Sequence, residues 1–498
     1  MLLEMAAEGM GERVAVGTKA DGLTYAELLD RARRTATCVT RSGAERVGLV
    51  DQNSDAVPLL VFASAIVGIP FAPVNYRLAD DQLRAVVARL APGLVVADPG
   101  AVGRIGDVDG LVVLDRHELM NRAGAAEPAE LVTADPEAIA IWLFTSGTTG
   151  EPKAALLRHR HLVSYVLSTV DFMSADEDEA ALVSVPPYHI AGIAAILSAT
   201  YGGRRIVYLP HFDPAEWVRL VQAEQITHAM VVPTMLGRIL DAVEAQGVAL
   251  PTLAHLSYGG GRMPVPVIER ALDLLPHVGF VNAYGLTETS STIAVLGPEN
   301  HRAAHDSDDP AVRARLGSVG RPLPTLELEI RGEDGTALPV GQSGEIYVRG
   351  EQIAGEYLGR SALTADGWFP TNDGGHLDGA GFLYVEGRVD DVIVRGGENM
   401  SPGEIEDVLL QHPSVAEAGV TGVPDDDWGE AVAAAVVLKE GATIDEATLQ
   451  GWVRHRLRSS RTPVLVDIRG ALPYTATGKL LRNVLRGELT RAVKARQP

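Results

Sequence analysis

The stretch that most limits how this chain can fold is Ala138-Ile-Ala-Ile-Trp-Leu-Phe144 together with the loop behind it. A short, unbroken apolar run closed by small polar residues predicts a strand buried on both faces, and such strands belong to sheets covered by helices. The run breaks into Thr145, Ser146, Gly147, Thr148, Thr149 and Gly150, with four hydroxyls, two glycines and no bulky side chain. Backbone N–H groups in such a loop can approach an anion closely, and the hydroxyls add donors. Lys153 then supplies a mobile positive charge. Strand, loop and lysine together predict a polyphosphate cradle rather than an ordinary Gly/Thr surface loop. It is not a Walker A loop, which needs Lys directly after Gly. Here Glu151 and Pro152 intervene, and Gly478-Lys479 is followed by Leu480.

The flanking sequence fits a buried strand of this kind. Thr24 is a predicted helix N-cap, with Glu27 three residues on. Val47-Gly-Leu-Val50 and Leu94-Val-Val-Ala97 read as short apolar strands with helical patterns between and after them. Strands alternating with helices predict an α/β fold with mostly parallel sheets, and the pattern continues through residues 136–300. From Leu326 the texture changes. Leu326-Glu-Leu-Glu-Ile330, Gly344-Glu-Ile-Tyr-Val-Arg349 and Gly381-Phe-Leu-Tyr-Val385 alternate between Gly/Pro/Asp turns, as antiparallel strands do. Gly387-Arg-Val-Asp-Asp391 is the strongest boundary, followed by a block of about 110 residues, the size of a small domain. The expected domains are therefore 1–387 and 388–498.

A chain of 498 residues exceeds what one core usually supports. Its 43 lysines and arginines face 65 acids, a net charge of −22, which argues against a general nucleic-acid binder. An anionic ligand would need local positive sites, and Arg454–Pro498 is rich in arginine. Cys38 is the only cysteine, so no intrachain disulfide or cysteine metal cluster can form, and it reads as packing. Ala56–Val74 is almost wholly apolar, but Pro58, Gly68, Pro70 and Pro73 interrupt it. It fits a buried helix leading to a core strand better than a membrane span. The N-terminal residues carry acids where a signal peptide has positive charge, so a cytoplasmic protein without an integral membrane segment is expected.

Several further motifs carry chemistry-bearing residues. Ser184-Val-Pro-Pro-Tyr-His189 precedes an apolar helix, and Leu256-Ser-Tyr-Gly-Gly-Gly261 ends a strand in a glycine turn followed by Arg262. Arg262 is expected to be solvent-exposed; pointing into a substrate pocket, it could pair a second acidic group of the substrate. In Asn282-Ala-Tyr-Gly-Leu-Thr-Glu288, Tyr284 offers a stacking face, Thr287 a hydroxyl and Glu288 a hard oxygen suited to Mg²⁺. Trp368-Phe-Pro-Thr-Asn-Asp373 supplies an acceptor-only carboxylate, with Asn372 at a position that tolerates left-handed backbone. Pro424-Asp-Asp-Asp-Trp428 reads as a solvated loop rather than a metal site.

Thr145-Ser-Gly-Thr-Thr-Gly-Glu-Pro-Lys153 resembles the phosphate loop of the adenylate-forming superfamily, which includes acyl-CoA synthetases, luciferases and peptide-synthetase adenylation domains. Ala154 replaces a usual glycine. The later motifs extend the resemblance over nearly the whole chain, closest in pattern to bacterial fatty- or aryl-acid CoA ligases. The resemblance implies a large N-terminal domain and a small mobile C-terminal α+β lid with its hinge at Asp390. It implies that Gly259, Gly260 and Gly261 border adenine and acyl group, and that His189 lies beside the substrate carboxylate. Asp373 would accept from both ribose hydroxyls, and Arg388 would sit near ribose or α-phosphate. Gly396, Gly397 and Glu398 would line the pantetheine path, and Lys479 in Pro473-Tyr-Thr-Ala-Thr-Gly-Lys479 would be the adenylation lysine. Ser460-Arg461-Thr462-Pro463 departs from the commoner Tyr-Lys-x-Pro.

A carboxylate resists nucleophilic attack, and an acyl-AMP anhydride gives it a good leaving group. The expected activity is an ATP- and Mg²⁺-dependent ligase that joins a fatty or aryl acid to CoA through acyl-AMP. The alternatives are an adenylation enzyme that loads a carrier protein, and a nucleotide-binding regulator without turnover. Oligomeric state is not encoded in these motifs.

Overall fold

The computed structural model describes residues 1–145, 153–396, 398–474 and 480–496. Two large sheets form the body. In the nine-stranded sheet, His255–Gly259 lies between Gly279–Leu286 and His228–Val231, then come Ala180–Val183, Arg205–Tyr208 and Val14–Val16. These neighbours pair in parallel, and antiparallel strands close both edges. The eight-stranded sheet has a parallel run of Ile139–Thr145, Phe71–Pro73, Arg46–Val50, Gly93–Ala97 and Leu111–Asp115 that reaches one edge. The predicted α/β fold is the one observed.

The two sheets share a core, which explains the most apolar stretch of the chain. Helix Ala56–Val67 and helix Ile190–Gly202 pack in one cluster with Val47, Leu49 and Ile141 of one sheet and Val183 and Ile206 of the other. A helix covered on every side must be apolar all round, and Ala56 to Ser64 are all buried. The interruption at Pro70 is where the strand Phe71–Pro73 begins. Cys38 packs at the margin of this core. Among the described residues, no helix is long and apolar enough to cross a membrane.

The alternating segments form a four-stranded antiparallel sheet of Glu327–Arg331, Gly344–Arg349, Phe369–Leu377 and Leu383–Arg388. Strand pairing stops at Arg388 and, after the exposed 3₁₀ turn Val389–Asp391, restarts at Ile393 in a separate five-stranded sheet. That last sheet has two apolar faces. Helices Pro402–Leu410 and Glu446–Arg454 cover one, and helix Arg482–Lys494 with Tyr474 and Leu480 covers the other.

Five arginines of the C-terminal stretch are paired with carboxylates. Arg461 pairs with Glu398 and Glu404, Arg469 with Asp467 and Glu488, Arg482 with Glu406, Arg486 with Glu430 and Arg496 with Glu446. Most of these partners come from residues 398–446, folded back against the stretch.

At the N-terminus, the Thr24 hydroxyl accepts from the Glu27 amide while the Glu27 carboxylate accepts from the Thr24 amide, completing the predicted capping box. Thr24→Ala should lower unfolding free energy by about 1 kcal/mol and leave any catalytic rate unchanged, measurable by urea denaturation.

Candidate functional site

Ligand sites in open parallel sheets lie beyond the C-terminal ends of the strands, and the sequence motifs converge on that edge here. His189 follows Ala180–Val183, Gly259–Gly261 end His255–Gly259, and Thr287 and Glu288 follow Gly279–Leu286. Gly259 is required by its neighbour strand: a Cβ there would come within 2.3 Å of the Ala283 carbonyl oxygen. Gly260 takes φ +75°, a conformation that favours glycine. Together they let the strand turn at its tip without a side chain over the edge.

Tyr284 and Asp373 join two sheets. The Tyr284 hydroxyl donates to Asp373 Oδ2 at 2.7 Å, and Arg388 Nε lies 3.1 Å from Oδ1. Asp373 and Arg388 are register partners on adjacent antiparallel strands, and Arg388 also donates to the Thr371 carbonyl. Burial, and then the Asp373 charge, push the Tyr284 phenol well above its usual range, so it remains a donor. Asn372, just before Asp373, has φ +56°, the left-handed conformation that asparagine tolerates. A carboxylate has about four acceptor sites, so Asp373 retains acceptor capacity beyond these two partners.

Glu288 stands in a short 3₁₀ turn, Thr287–Thr289, and is 9% exposed. The Tyr357 hydroxyl donates to Glu288 Oε1 at 2.5 Å, and the Glu288 carbonyl accepts from the amides of Ala354 and Gly355. Tyr357 pairs with Ala155 on the strand that Lys153 begins. Lys153 in turn faces Thr145 across the hairpin whose loop carries Ser146 to Gly150. Contacts therefore run from the base of the glycine-threonine loop through Tyr357 to Glu288, four residues along the chain from Tyr284. Ser146, Gly147, Thr148, Thr149, Gly150, Gly397 and Lys479 lie outside the described residues. Tyr357 was not found by sequence reasoning, because its contact with Glu288 spans 69 residues and follows no motif spacing.

His189 caps helix Ile190–Gly202 and packs 4.7 Å from the Tyr188 ring. Tyr188 meets Tyr76 edge-on at 5.7 Å, and Tyr76 meets His211 at 6.5 Å. Burial, with a smaller contribution from the Arg77 charge, lowers the His189 pKa to about 4. The ring is therefore neutral at physiological pH, and its Nε2 is buried without a hydrogen-bond partner among the described residues.

The remaining predicted residues lie on the C-terminal sheet or before it. Gly396 takes φ +58° against Trp428, and Glu398 is held by Arg461 at 2.8 Å. The departure at Ser460-Arg461 thus contacts the glycine hairpin, with Arg395 donating to the Ser460 carbonyl. Asp390 is exposed in the 3₁₀ turn between sheets. Asp425 accepts from the amides of Asp427 and Trp428, as in a solvated turn. Among the described residues, no group of three or more His, Cys, Asp or Glu side chains could hold a metal. Arg262 is exposed, as expected, and its guanidinium also pairs with Asp407 at 2.6 Å.

The AMP-binding enzyme family matches residues 3–358, and its C-terminal domain matches residues 404–479. The chain belongs to the AMP-binding enzymes. Feruloyl-CoA synthase of Amycolatopsis sp is 32% identical to this AMP-binding enzyme over 474 residues, 93% of each chain. The 2-succinylbenzoate–CoA ligase of Geobacillus kaustophilus is 35% identical over 488 residues, 95% of each. Among solved structures, o-succinylbenzoate CoA synthetase of Bacillus subtilis, in complex with its acyl-adenylate intermediate, superposes with a TM-score of 0.84 at 29% identity, covering 97% of each chain.

A histidine whose pKa is depressed by burial disfavours protonation of the folded state. His189 thus leaves stability intact above its unfolded pKa and erodes it as pH falls from 6.5 toward 4. Ring NMR of the enzyme should show no His189 titration between about pH 5 and 8; a midpoint at the ordinary value would mean a solvated ring.

Proposed function

We propose that this AMP-binding enzyme activates an aromatic carboxylic acid with ATP and passes it to CoA. Acid–CoA ligation through an acyl-adenylate is the chemistry of the family members it resembles along its length. The observation that carries the aromatic reading is the cluster of Tyr76, Tyr188, His189 and His211 beside the strand ends. Aromatic rings pack favourably edge-to-face with one another, and the neutral His189 with its unpaired Nε2 suits a polar group on the substrate without adding charge. No carboxylate among these four residues would pair the ammonium of a free amino acid, and a buried unpaired charge is costly.

The roles follow from placement. Thr145 and Lys153 close the base of the loop Ser146–Gly150, assigned to the ATP phosphates. Asp373, braced by Tyr284 and Arg388, presents its spare acceptor sites to the ribose hydroxyls, and Arg388 adds charge near the α-phosphate. Gly259, Gly260 and Gly261 leave the edge bare where adenine and acyl group meet. Thr287 supplies a hydroxyl at the reacting carboxylate. Glu288 fits Mg²⁺: a hard carboxylate with one oxygen anchored by Tyr357. A bound Mg²⁺ would neutralise phosphate charge. Lys479 is assigned to stabilise the charge that develops as the acid attacks the α-phosphorus, while Gly396, Gly397 and Glu398 border the CoA thiol's approach.

Residues 1–387 and 388–498 are read as two domains with the hinge at Asp390, supported by the break in strand pairing on either side of its turn. Dependence on ATP and CoA supports action in the cytoplasm.

Pyrophosphate release tests the reading with ferulate, indoleacetate, 2-succinylbenzoate, dodecanoate and the α-amino acids, each with and without CoA and with and without Mg²⁺. An aryl acid should support release, and its thioester should accumulate when CoA is present. Release without thioester, with acyl transfer to a phosphopantetheinylated carrier instead, would favour the loading enzyme. No release with any acid would leave a nucleotide-binding regulator.

A further inference from the structure

Arg262 joins the two parts of the chain at a point far from the Asp390 turn in sequence. It directly follows the Gly259–Gly261 turn, and its guanidinium donates to Asp407 Oδ2 at 2.6 Å across 145 residues. Asp407 lies on helix Pro402–Leu410, the first helix of the C-terminal unit. The same guanidinium lies over Gly403: a Cβ there would stand 1.7 Å from Arg262 Nη1 and 2.6 Å from Cζ. Glycine is a poor helix residue, and here its missing side chain is what makes room for the arginine. Both side chains are partly shielded, at 36% and 21% exposure. Nearby, the Ser401 hydroxyl donates to the Glu386 carbonyl, a second link between the units.

The orientation that this contact holds can be read from the C-terminal sheet. Helix Pro402–Leu410 covers one face and turns its other side to the large domain. Tyr474 and Leu480, which flank the segment of Lys479, pack with helix Arg482–Lys494 on the opposite face. The hairpin Ile393–Met400 leads straight into the clasped helix. In this orientation the docked face is thus the one next to the hairpin, not the one that carries the flanks of the adenylation lysine.

We propose that Arg262 is a positioning residue, whose ion pair with Asp407 over Gly403 clasps the C-terminal domain in the orientation that transfers the acyl group to CoA. The clasp must open for the other orientation, so it biases the enzyme toward its second half-reaction. This rests on the two-domain ligase reading above. The clasp is absent from the adenylation orientation, and its loss therefore leaves acyl-AMP formation intact.

The test compares wild type with Arg262→Glu, Asp407→Arg, the double charge exchange and Gly403→Ala. Three readouts are taken: pyrophosphate release with the aryl acid that turns over, thioester formation from its supplied acyl-AMP plus CoA, and dye-to-dye energy transfer between domains. Dyes sit on Glu333→Cys and Glu440→Cys, both exposed positions, in a Cys38→Ser background. Each single charge variant should slow thioester formation about 3- to 10-fold, keep pyrophosphate release within about twofold and change the transfer efficiency. The double exchange should recover most of the rate and the wild-type efficiency. Gly403→Ala, which favours the helix itself, should move both readouts in the same direction without lowering the melting temperature. Unchanged transfer efficiency in the single variants, equal slowing of both half-reactions, or no recovery in the double exchange would each overturn the clasp. If wild type forms no thioester with any acid, the ligase reading fails, while the energy-transfer comparison still decides whether Arg262 and Asp407 hold the domains together.

Discussion

Asp373 holds a carboxylate at the seam of the molecule, fixed between a tyrosine of one sheet and an arginine of another. One oxygen takes the hydroxyl of Tyr284 from the nine-stranded sheet, and the other lies against Arg388 on its own antiparallel sheet. Hydrogen bonds to a charged acceptor contribute roughly 1.5–3 kcal/mol each, and at 8% exposure the carboxylate needs them. Because Arg388 directly precedes the Val389–Asp391 turn, the same charge also anchors the last rigid strand before the C-terminal unit. The site and the start of the proposed hinge therefore share one electrostatic support.

Glu288 repeats the same economy on the other side. Its side chain is tied by Tyr357 and its carbonyl by two amides of the segment that pairs with the Lys153 strand. The strand that Lys153 begins and the carboxylate proposed for Mg²⁺ are thus connected through Tyr357 and its neighbours. Preorganised groups of this kind stabilise developing charge without reorganising during reaction, which suits a step that separates pyrophosphate from an α-phosphate.

Much of the fold was legible because it rests on local rules. The apolar run at Ala138–Phe144, the Thr24 capping box and the alternating strands from Leu326 each follow from side-chain periodicity or from short-range hydrogen bonds. The site motifs at Tyr284, Glu288, Asp373 and Arg388 were legible as types, and three of them meet directly. What the sequence hid are pairings set by tertiary packing. Tyr357 reaches Glu288 because two strands pair edge to edge, and Arg262 meets Asp407 because one helix docks on the large domain. The same limit applies at the C-terminus, where composition shows an arginine-rich stretch. Folding brings acids from preceding elements onto Arg461, Arg482, Arg486 and Arg496, and a charge count along the chain cannot register that.

The most direct test of the account is an equilibrium titration of ATP, without acid or CoA, against wild type and Asp373→Ala. On the ribose role proposed for Asp373, its removal should weaken ATP by about tenfold or more while inorganic pyrophosphate, which has no ribose, binds both proteins alike. Equal ATP affinity in the two proteins would show that Asp373 only braces Tyr284 and Arg388, and the nucleotide site would have to be sought elsewhere along the strand ends.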